Sequence, residues 1–375
     1  MPPETLPPLS IVHVVAPGPV GGLERVVQAL ATGHARQGHD VSVISLLVPG
    51  QAAGHPFSEP LRPAGVRVHE LEFPAKALLR ERRAVRDLLS RIRPDVVHTH
   101  WYRPDVLHAT TARGLRIPTV TTEHGSSKLG GRTVVYEWIQ RAFFRRFQAV
   151  VAVSTPIAER LVLEGVPKSK VHLIPNGWGG DVDFEDRATA RRLLGLPNDR
   201  PVVGYVGRLI PAKGPDVFLD AVLRLDDLDF RAVVIGDGPE RARLEATIRD
   251  ADGEDTVLMA GHVDDAAPLF KAFDLFVLSS RTEGTPITLF EAMAAGVPIV
   301  AAAVGGVPDV VGPKEALLVA PEDPEALAGA IRSALAAPAE SAQRARQASK
   351  RLETDFAGDQ WLQRHETLYR TLAGR

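Results

Sequence analysis

The segment Ser280-Arg-Thr-Glu-Gly-Thr-Pro-Ile-Thr-Leu-Phe-Glu-Ala-Met-Ala-Ala-Gly-Val-Pro298 places two carboxylates, Glu283 and Glu291, eight residues apart. The apolar run Leu275–Leu278 precedes it and predicts a buried strand, and the pattern of Ile287–Ala295 predicts a helix. Glu283 is therefore expected in the loop between strand and helix, and Glu291 on the second turn of the helix. A strand followed in this way by a helix is typical of an α/β domain with a parallel sheet.

The start of this helix is expected to bind an anion. Thr285 suits the N-cap, and Pro286 suits the first helical position, where a missing N–H costs nothing. The free amides of Ile287, Thr288 and Leu289, together with the helix dipole, would then form a site of phosphate size. The segment thus offers a carboxylate, an anion site and a second carboxylate, which match the hydroxyls, diphosphate and ribose of a sugar nucleotide.

Length and composition indicate an ordinary globular protein with two domains. The chain has 375 residues, of which 45% are hydrophobic and 24% charged. The absence of cysteine excludes disulfides and thiolate metal sites, and fits the cytosol. No apolar run approaches the roughly 20 residues of a membrane span, and the first residues lack signal-peptide features. The expected location is the cytoplasm, with peripheral contact at the inner membrane face left open.

Charge is distributed unequally between the halves. Residues 1–175 contain 22 lysines and arginines against 14 acidic residues, a net charge of +8. Residues 176–375 contain 22 against 32, a net charge of −10. The basic half suits an anionic acceptor or a membrane surface, although a solvated basic surface explains it as well. Nucleic acid is not expected, because no recognised binding motif is present.

Short β-rich runs alternate with helical patterns along the whole chain, which predicts two doubly wound parallel sheets facing across an interdomain cleft. The predicted strands are Ile11–Ala16, Val41–Leu46, Val66–Leu71, Val96–Thr99, Thr119–Thr122, Ala149–Val153, Val171–Ile174, Val202–Val206, Ala232–Ile235, Thr256–Met259, Leu275–Leu278, Ile299–Ala302 and Leu317–Val319. The expected domains are residues 1–175 on the acceptor side, a hinge at 176–187, a donor-binding domain at 188–354, and a C-terminal helix at 355–375 that returns to the first domain.

Two loops carry cations or glycines that suit a phosphate. Arg208 and Lys213 follow the strand Val202–Val206, and together they could hold a diphosphate. Gly21 and Gly22 follow the first strand and would let the backbone approach a ligand. The alternatives are surface cations and a tight turn. Neither this glycine pair nor the segment that begins at Gly236 spells G-x-G-x-x-G, which disfavours an NAD enzyme.

Histidines and acidic residues elsewhere give weaker signals. His124 ends the strand Thr119–Thr122 and could bond a sugar hydroxyl, although a lone histidine is more often structural. His98, His100 and His124 show no metal-ligand spacing, and Asp181 with Asp183 fits a linker better than a metal site. No P-loop and no G-x-S-x-G elbow occurs in the sequence, which disfavours Walker-type phosphoryl transfer and serine hydrolysis.

Two arginine-rich helical patterns, Ala75–Ile92 and Glu137–Phe147, could rest on an anionic membrane surface. The alternative, which the pattern favours, is a pair of amphipathic helices that cover a sheet.

Together these segments resemble the retaining glycosyltransferases of family 4, which have the two-domain GT-B fold. The resemblance covers nearly the whole chain and is specific in the second half. The second-half matches are Gly207-Arg208-Leu209 with Lys213-Gly214, Gly236-Asp-Gly-Pro-Glu240, the E-x7-E pair, and Gly305-Gly306. The first-half matches, Gly21-Gly22-Leu23-Glu24-Arg25, Glu123-His124-Gly125 and Val153-Ser154, are looser.

The resemblance implies a role for each matching residue. Arg208 and Lys213 would hold the donor diphosphate, Glu291 the ribose, Glu283 the donor sugar, and His124 would contact the sugar near its anomeric carbon. The implied catalytic residues are His124, Arg208, Lys213 and Glu283. The implied donor-binding residues are Gly21, Gly22, Arg208, Lys213, Gly236, His262, Val263, Glu283, Gly284, Thr285, Pro286, Ile287, Thr288, Leu289 and Glu291.

The resemblance further implies transfer with retention of configuration, without metal or cofactor, from a nucleotide sugar. UDP is the favoured nucleotide, GDP and ADP remain open, and the acceptor is an unidentified small molecule, glycan or lipid-linked sugar. Front-face transfer is the mechanistic hypothesis, since no positioned nucleophile is evident. The alternatives are a sugar-nucleotide epimerase of the same fold and a catalytically silent binding protein. Trp178 departs from the usual aliphatic residue of the hinge and leaves the role of Asp181 open.

Overall fold

The computed structural model describes residues 6–18, 21–52, 54–74, 76–125, 139–180 and 182–375. They divide into two compact units, Met1–Gly179 with Gly358–Arg375, and Gly180–Ala357. Asp181, and Glu137 and Trp138 of the predicted helix Glu137–Phe147, lie outside the described residues.

The first unit is built on a parallel sheet of seven strands in the order β3-β2-β1-β4-β5-β6-β7. The strands are β1 (Ser10–Val15), β2 (Asp40–Leu47), β3 (Arg67–Glu72), β4 (Val96–His100), β5 (Thr119–Glu123), β6 (Ala149–Ala152) and β7 (Val171–Leu173). The helices are α1 (Gly22–Arg36), α2 (Leu78–Ile92), α3 (Tyr102–Gly114), α4 (Thr155–Leu163) and, after the second unit, α12 (Gly358–Ala373). The central strands are buried along almost their whole length, as expected for a parallel sheet covered on both faces.

The second unit is built on a parallel sheet of six strands in the order β10-β9-β8-β11-β12-β13. The strands are β8 (Val202–Val206), β9 (Arg231–Ile235), β10 (Val257–Gly261), β11 (Leu275–Leu278), β12 (Ile299–Ala302) and β13 (Leu317–Val319). The helices are α5 (Arg187–Leu193), α6 (Pro215–Leu223), α7 (Arg241–Asp250), α8 (Ile287–Ala295), α9 (Val307–Val310), α10 (Pro324–Ala336) and α11 (Pro338–Asp355). Its largest core cluster joins these strands to α6, α7 and α10.

The same topology fixes one special point in each sheet. In the first sheet the strand order reverses between β1 and β4, and in the second between β8 and β11. Ligands of doubly wound sheets bind beyond the carboxyl ends of the strands at such a switch point. Each unit therefore offers one defined place for a ligand.

The C-terminal helix α12 packs on α1 and β4 of the first unit. The Nε2 atom of His34 lies 3.3 Å from the carbonyl oxygen of Leu362, and the Nδ1 atom of His98 lies 2.7 Å from the hydroxyl of Tyr369. Gly33 permits the close approach, because a Cβ there would lie 2.5 Å from Leu362. The contact uses Gly33 and His34 on α1, and Leu362 and Tyr369 on α12.

Each predicted strand is present, with ends that differ by at most two residues. One helix start and one N-cap were predicted wrongly, although the helical pattern Ile287–Ala295 has the predicted bounds. Helix α2 begins at Leu78 instead of Ala75. Helix α8 begins at Ile287 and its N-cap is Pro286, whose extended backbone (ψ 115°) keeps it out of the helix, so Thr285 is not the cap.

Candidate donor-binding site

The switch point of the second sheet brings the predicted cations and the first carboxylate onto adjacent loops. Arg208 follows β8 and is exposed, and Lys213 ends the short turn Pro211–Lys213 of the same connection. Glu283 follows β11, which pairs with β8 in parallel. Residues that are 70 positions apart in sequence therefore meet at one edge of the sheet.

Lys213 and Glu283 form a two-pronged ion pair. The Nζ atom of Lys213 donates to both carboxylate oxygens of Glu283 at 2.8 Å, and the hydroxyl of Ser280 donates to Oε1 at 2.6 Å. The side chain of Glu283 is 5% exposed and that of Lys213 is 28% exposed. The carboxylate is thus oriented by two partners, while the ammonium group still reaches solvent.

Arg281 fixes the turn that carries Lys213, a role that was not predicted from the sequence. Its guanidinium group donates to both carboxylate oxygens of Asp216 at 2.8 Å and to the carbonyl of Pro211 at 2.8 Å. Its backbone amide donates to the carbonyl of Ala212 at 2.9 Å. Burial opposes ionisation of Asp216, but the hydrogen bonds and charge of Arg281 prevail and lower the pKa of that carboxyl group.

The start of α8 differs from the predicted anion site in one respect. The amide of Leu289 donates to the carbonyl of Pro286 at 3.1 Å, so Leu289 was wrongly predicted as a free donor. Because the helix starts at Ile287, the hydrogen bond from Leu289 to Pro286 spans three residues and closes a tight first turn. Glu291 lies on the second turn as predicted and is only 4% exposed.

The remaining predicted donor residues of this unit lie at the ends of neighbouring strands. Gly236 follows β9, and His262 with Val263 follows β10. The side chain of His262 is 63% exposed and lies 3.2 Å from Asp264. Gly284 and Thr285 share the loop of Glu283. All of them therefore occupy the carboxyl edge of four adjacent strands, β10-β9-β8-β11.

The predicted residues of the first unit occupy the corresponding edge of its sheet. Gly21 is the N-cap of α1, and the carboxylate of Glu24 accepts hydrogen bonds from the amides of Gly21 at 3.0 Å and Gly18 at 3.1 Å. Gly22 begins the same helix. His124 follows β5, and burial lowers the pKa of its imidazole to about 4, so it is neutral at pH 7.

A cluster of buried histidines lies under this edge. The ring nitrogens of His13, His98 and His100 lie within 4.8 Å of one another, an arrangement that the sequence spacing had not indicated. His100 bonds His13 at 3.1 Å and His124 at 3.3 Å, and His98 bonds Tyr369 and Thr122 at 2.7 and 2.8 Å. Because these bonds engage both ring nitrogens of His98 and of His100, we interpret the cluster as a hydrogen-bonded network.

Within the described part of the chain, no helix combines the length and apolarity needed to cross a membrane.

Two family models match the two halves of the chain. The model of glycosyl transferases group 1 matches residues 186–352, and that of glycosyltransferase family 4 matches residues 20–178. The D-inositol 3-phosphate glycosyltransferase of Acidothermus cellulolyticus is 30% identical over 359 residues, which are 84% of this chain and 78% of that protein. The chain belongs to glycosyltransferase family 4.

Another relative and a solved structure agree. The GDP-mannose-dependent alpha-mannosyltransferase of Mycolicibacterium smegmatis is 32% identical over 304 residues, covering 74% of this chain and 75% of that protein. The crystal structure of Anabaena HepE in complex with UDP-glucose has a TM-score of 0.82 at 22% identity and covers 96% of this chain and 99% of that chain. The fold of this family 4 enzyme is accordingly GT-B-like, with two parallel α/β sheets.

Membership settles the general activity. This glycosyltransferase transfers a sugar from a nucleotide-sugar donor. The two alternative functions, a sugar-nucleotide epimerase and a catalytically silent binding protein, are therefore set aside.

Proposed function

We propose that this glycosyltransferase works with retention of configuration and without a metal ion, and that the pair of Lys213 and Glu283 is central to donor turnover. The observation that carries the proposal is their geometry at the switch point, where an ammonium group and a carboxylate are fixed at 2.8 Å, with the exposed Arg208 on the same loop as Lys213. A nucleoside diphosphate that departs from the sugar develops negative charge. Cations already in place stabilise that charge in the transition state, as a divalent metal would.

The hydrogen bonds that the carboxylate of Glu283 accepts support retention of configuration. Both of its carboxylate oxygens accept from Lys213, and one also accepts from Ser280. A carboxylate bonded in this way is a poor nucleophile for a covalent glycosyl intermediate, and it is well placed to accept sugar hydroxyls. We therefore favour front-face transfer. The acceptor oxygen bonds to the anomeric carbon as the bond from that carbon to the phosphate oxygen breaks, and the departing phosphate oxygen takes the proton of the acceptor hydroxyl.

The donor nucleotide is proposed to be UDP, with GDP as the competing candidate. The structurally similar HepE was crystallised with UDP-glucose, and one relative is described as GDP-mannose-dependent. The acceptor is proposed to be anionic or lipid-linked. The support is the net charge of +8 on residues 1–175 and a relative named for D-inositol 3-phosphate. The roles proposed for Gly22 and His124 on the donor stay predictions.

Peripheral membrane contact remains a proposal that α2 supports. Leu79 is 84% exposed at the start of this helix, and Arg82, Arg83 and Arg86 are exposed along it. An apolar side chain with a row of cations suits an anionic lipid surface. Flotation with phosphatidylglycerol vesicles, compared with neutral phosphatidylcholine vesicles, is expected to recover the protein, and substitution of Arg82 and Arg83 by glutamate is expected to abolish recovery.

The decisive experiment combines donor binding with product stereochemistry. Thermal shift with UDP-glucose, GDP-mannose and ADP-glucose identifies the donor, because a ligand at about 100 times its Kd stabilises by about 2.7 kcal/mol. Turnover is then followed by proton NMR of the anomeric centre with and without EDTA. We expect an α-linked product from an α-linked donor, at an unchanged rate in EDTA. An inverted product, or loss of activity in EDTA that magnesium restores, contradicts the proposal.

A further inference from the structure

Trp101 has an unusual backbone conformation at the edge of the first sheet. It lies directly after β4 and directly before α3, with φ 76° and ψ 167°. A bulky residue rarely adopts positive φ, and such strain costs of order 1–3 kcal/mol. Strain of this kind persists at functional sites, where the surrounding structure holds the residue in place.

The position of Trp101 is the switch point of the first sheet. Strand β4 pairs with β1, and the strand order reverses between them. Gly21 and Gly22 follow β1 on one side of Trp101, and His124 follows β5 on the other side. The rule that places the donor residues at the second switch point therefore predicts a second ligand here.

The chemistry at this position combines a flat apolar surface with polar groups. Trp101 is 40% exposed, and its ring meets that of Tyr102 edge-on with centroids 5.9 Å apart. On the next strand of the sheet, β5, His124 follows the strand end, and its Nε2 atom bonds His100 at 3.3 Å while its Nδ1 atom takes no part in that bond. Burial lowers the pKa of His124 to about 4, so it is neutral at pH 7. An aromatic face combined with an uncharged hydrogen-bonding group is typical of a small-molecule site.

We propose that Trp101 is a specificity-determining residue on whose ring the acceptor packs, so that the acceptor is a cyclic polyol such as a sugar or cyclitol. The C–H groups on one face of such a ring suit the indole, and one of its hydroxyls suits the Nδ1 atom of His124. The proposal rests on the proposed transferase reaction, which supplies the need for an acceptor. It narrows the acceptor from any hydroxyl compound to one that contains a ring.

The test uses three substitutions that separate the ring from the backbone strain. Trp101→Ala removes the ring and keeps the strained conformation, Trp101→Gly removes both, and Trp101→Phe keeps an aromatic ring. Leu163→Ala, at an exposed leucine of α4 in the same unit, is the control for lost apolar surface. The probes are UDP-glucose and GDP-mannose as donors, and myo-inositol 3-phosphate, methyl α-glucoside and the acyclic glycerol 3-phosphate as acceptors.

We expect the wild-type enzyme to use at least one cyclic acceptor and to disfavour glycerol 3-phosphate. Trp101→Ala and Trp101→Gly should each raise the acceptor KM about tenfold or more, and Trp101→Phe should stay within about threefold. The donor KM should not change. Trp101→Gly should melt no lower than Trp101→Ala, because glycine relieves the strain.

Three results overturn the inference. They are an unchanged acceptor KM in Trp101→Gly, equal use of glycerol 3-phosphate by the wild-type enzyme, and donor binding without turnover of either cyclic acceptor. Failure of the wild-type enzyme to bind any donor in the thermal-shift assay would instead contradict the proposed function. Failure of the Trp101 inference can therefore be distinguished from failure of the proposed function.

Discussion

Replacement of Lys213 by methionine is the sharpest test of the donor site. Methionine keeps the length and most of the volume of the lysine chain but removes the charge that bonds both oxygens of Glu283. The catalytic loss is that of one preorganised donor opposite a developing anion, about 2.7–4 kcal/mol or 10²–10³ in kcat. Because Arg208 remains as a second cation, we expect kcat to fall by about 100-fold, the lower end of this range.

The same substitution should also lower the stability of the second unit, because it leaves the buried carboxylate of Glu283 without its cation. Glu283 is 5% exposed and would keep only the hydroxyl of Ser280 as a partner. A buried group left partly unsatisfied costs about 1–3 kcal/mol. For a unit of about this size, 2 kcal/mol corresponds to a fall in Tm of about 4–8 °C. The double variant Lys213→Met with Glu283→Gln removes the uncompensated charge, so it should recover most of the Tm and none of the activity.

The assay is release of nucleoside diphosphate at saturating donor, with Tm measured on the same samples. Lys314→Met is the control, since Lys314 is an exposed lysine of the same unit. Wild-type kcat in Lys213→Met would refute a role for this cation in the chemistry. Restored activity in the double variant would refute it too, because the pair would then serve the fold alone.

Three further predictions follow from burial and backbone geometry. Glu291→Gln should raise the donor KM about 10–100-fold with a smaller effect on kcat, measured by initial rates, because it removes the charge of the buried carboxylate that is predicted to accept the ribose hydroxyls. Gly214→Ala should lower stability by more than Gly296→Ala in denaturant titrations: both glycines have positive φ, but only at Gly214 would a Cβ meet a backbone oxygen, at 2.1 Å. Burial lowers the pKa of His13 to about 3 and that of His365 to about 4, so the unfolded chain binds protons below pH 6.5 while the folded chain does not. Stability should therefore be full above about pH 6.5 and fall by about 1.4 kcal/mol per pH unit for each such histidine down to about pH 4, which urea titrations at pH 7.5, 6 and 5 can check.

The sequence predicted the strands of both sheets because each is a short apolar run between turn residues, and a parallel sheet buried on both faces requires that pattern. It also predicted that Arg208, Lys213 and Glu283 lie in the loops that follow β8 and β11, because each comes soon after an apolar strand. Their roles toward the donor stay predictions. Helix starts were less predictable. Proline fits either the cap or the first turn, and only the backbone angle of Pro286 decides between them.

The partners of the site residues could not be predicted, because they depend on which loops the topology brings together. Arg281 reads in sequence as one more surface cation, yet it holds the turn of Lys213 through Asp216 and Pro211. The histidine cluster is another case. His13 and His98 become neighbours only because β1 pairs with β4, a pairing between strands that are not consecutive.

Loops of the second unit pack backbone against backbone at glycines. These contacts explain why its motifs are recognisable in the sequence and why Glu283 is held in a fixed position. A Cβ at Gly214 would lie 2.1 Å from the carbonyl oxygen of Ser279, one at Gly236 would lie 1.9 Å from that of Gly207, and one at Gly305 would lie 1.9 Å from that of Glu283. Glycine is thus required at these three positions, which produces a recognisable spacing in the sequence. Because main-chain contacts of this kind allow little adjustment, the position of Glu283 is set when the unit folds. The cost of ordering the site is then met before the donor arrives, and preorganised charge of that kind is what lowers a barrier.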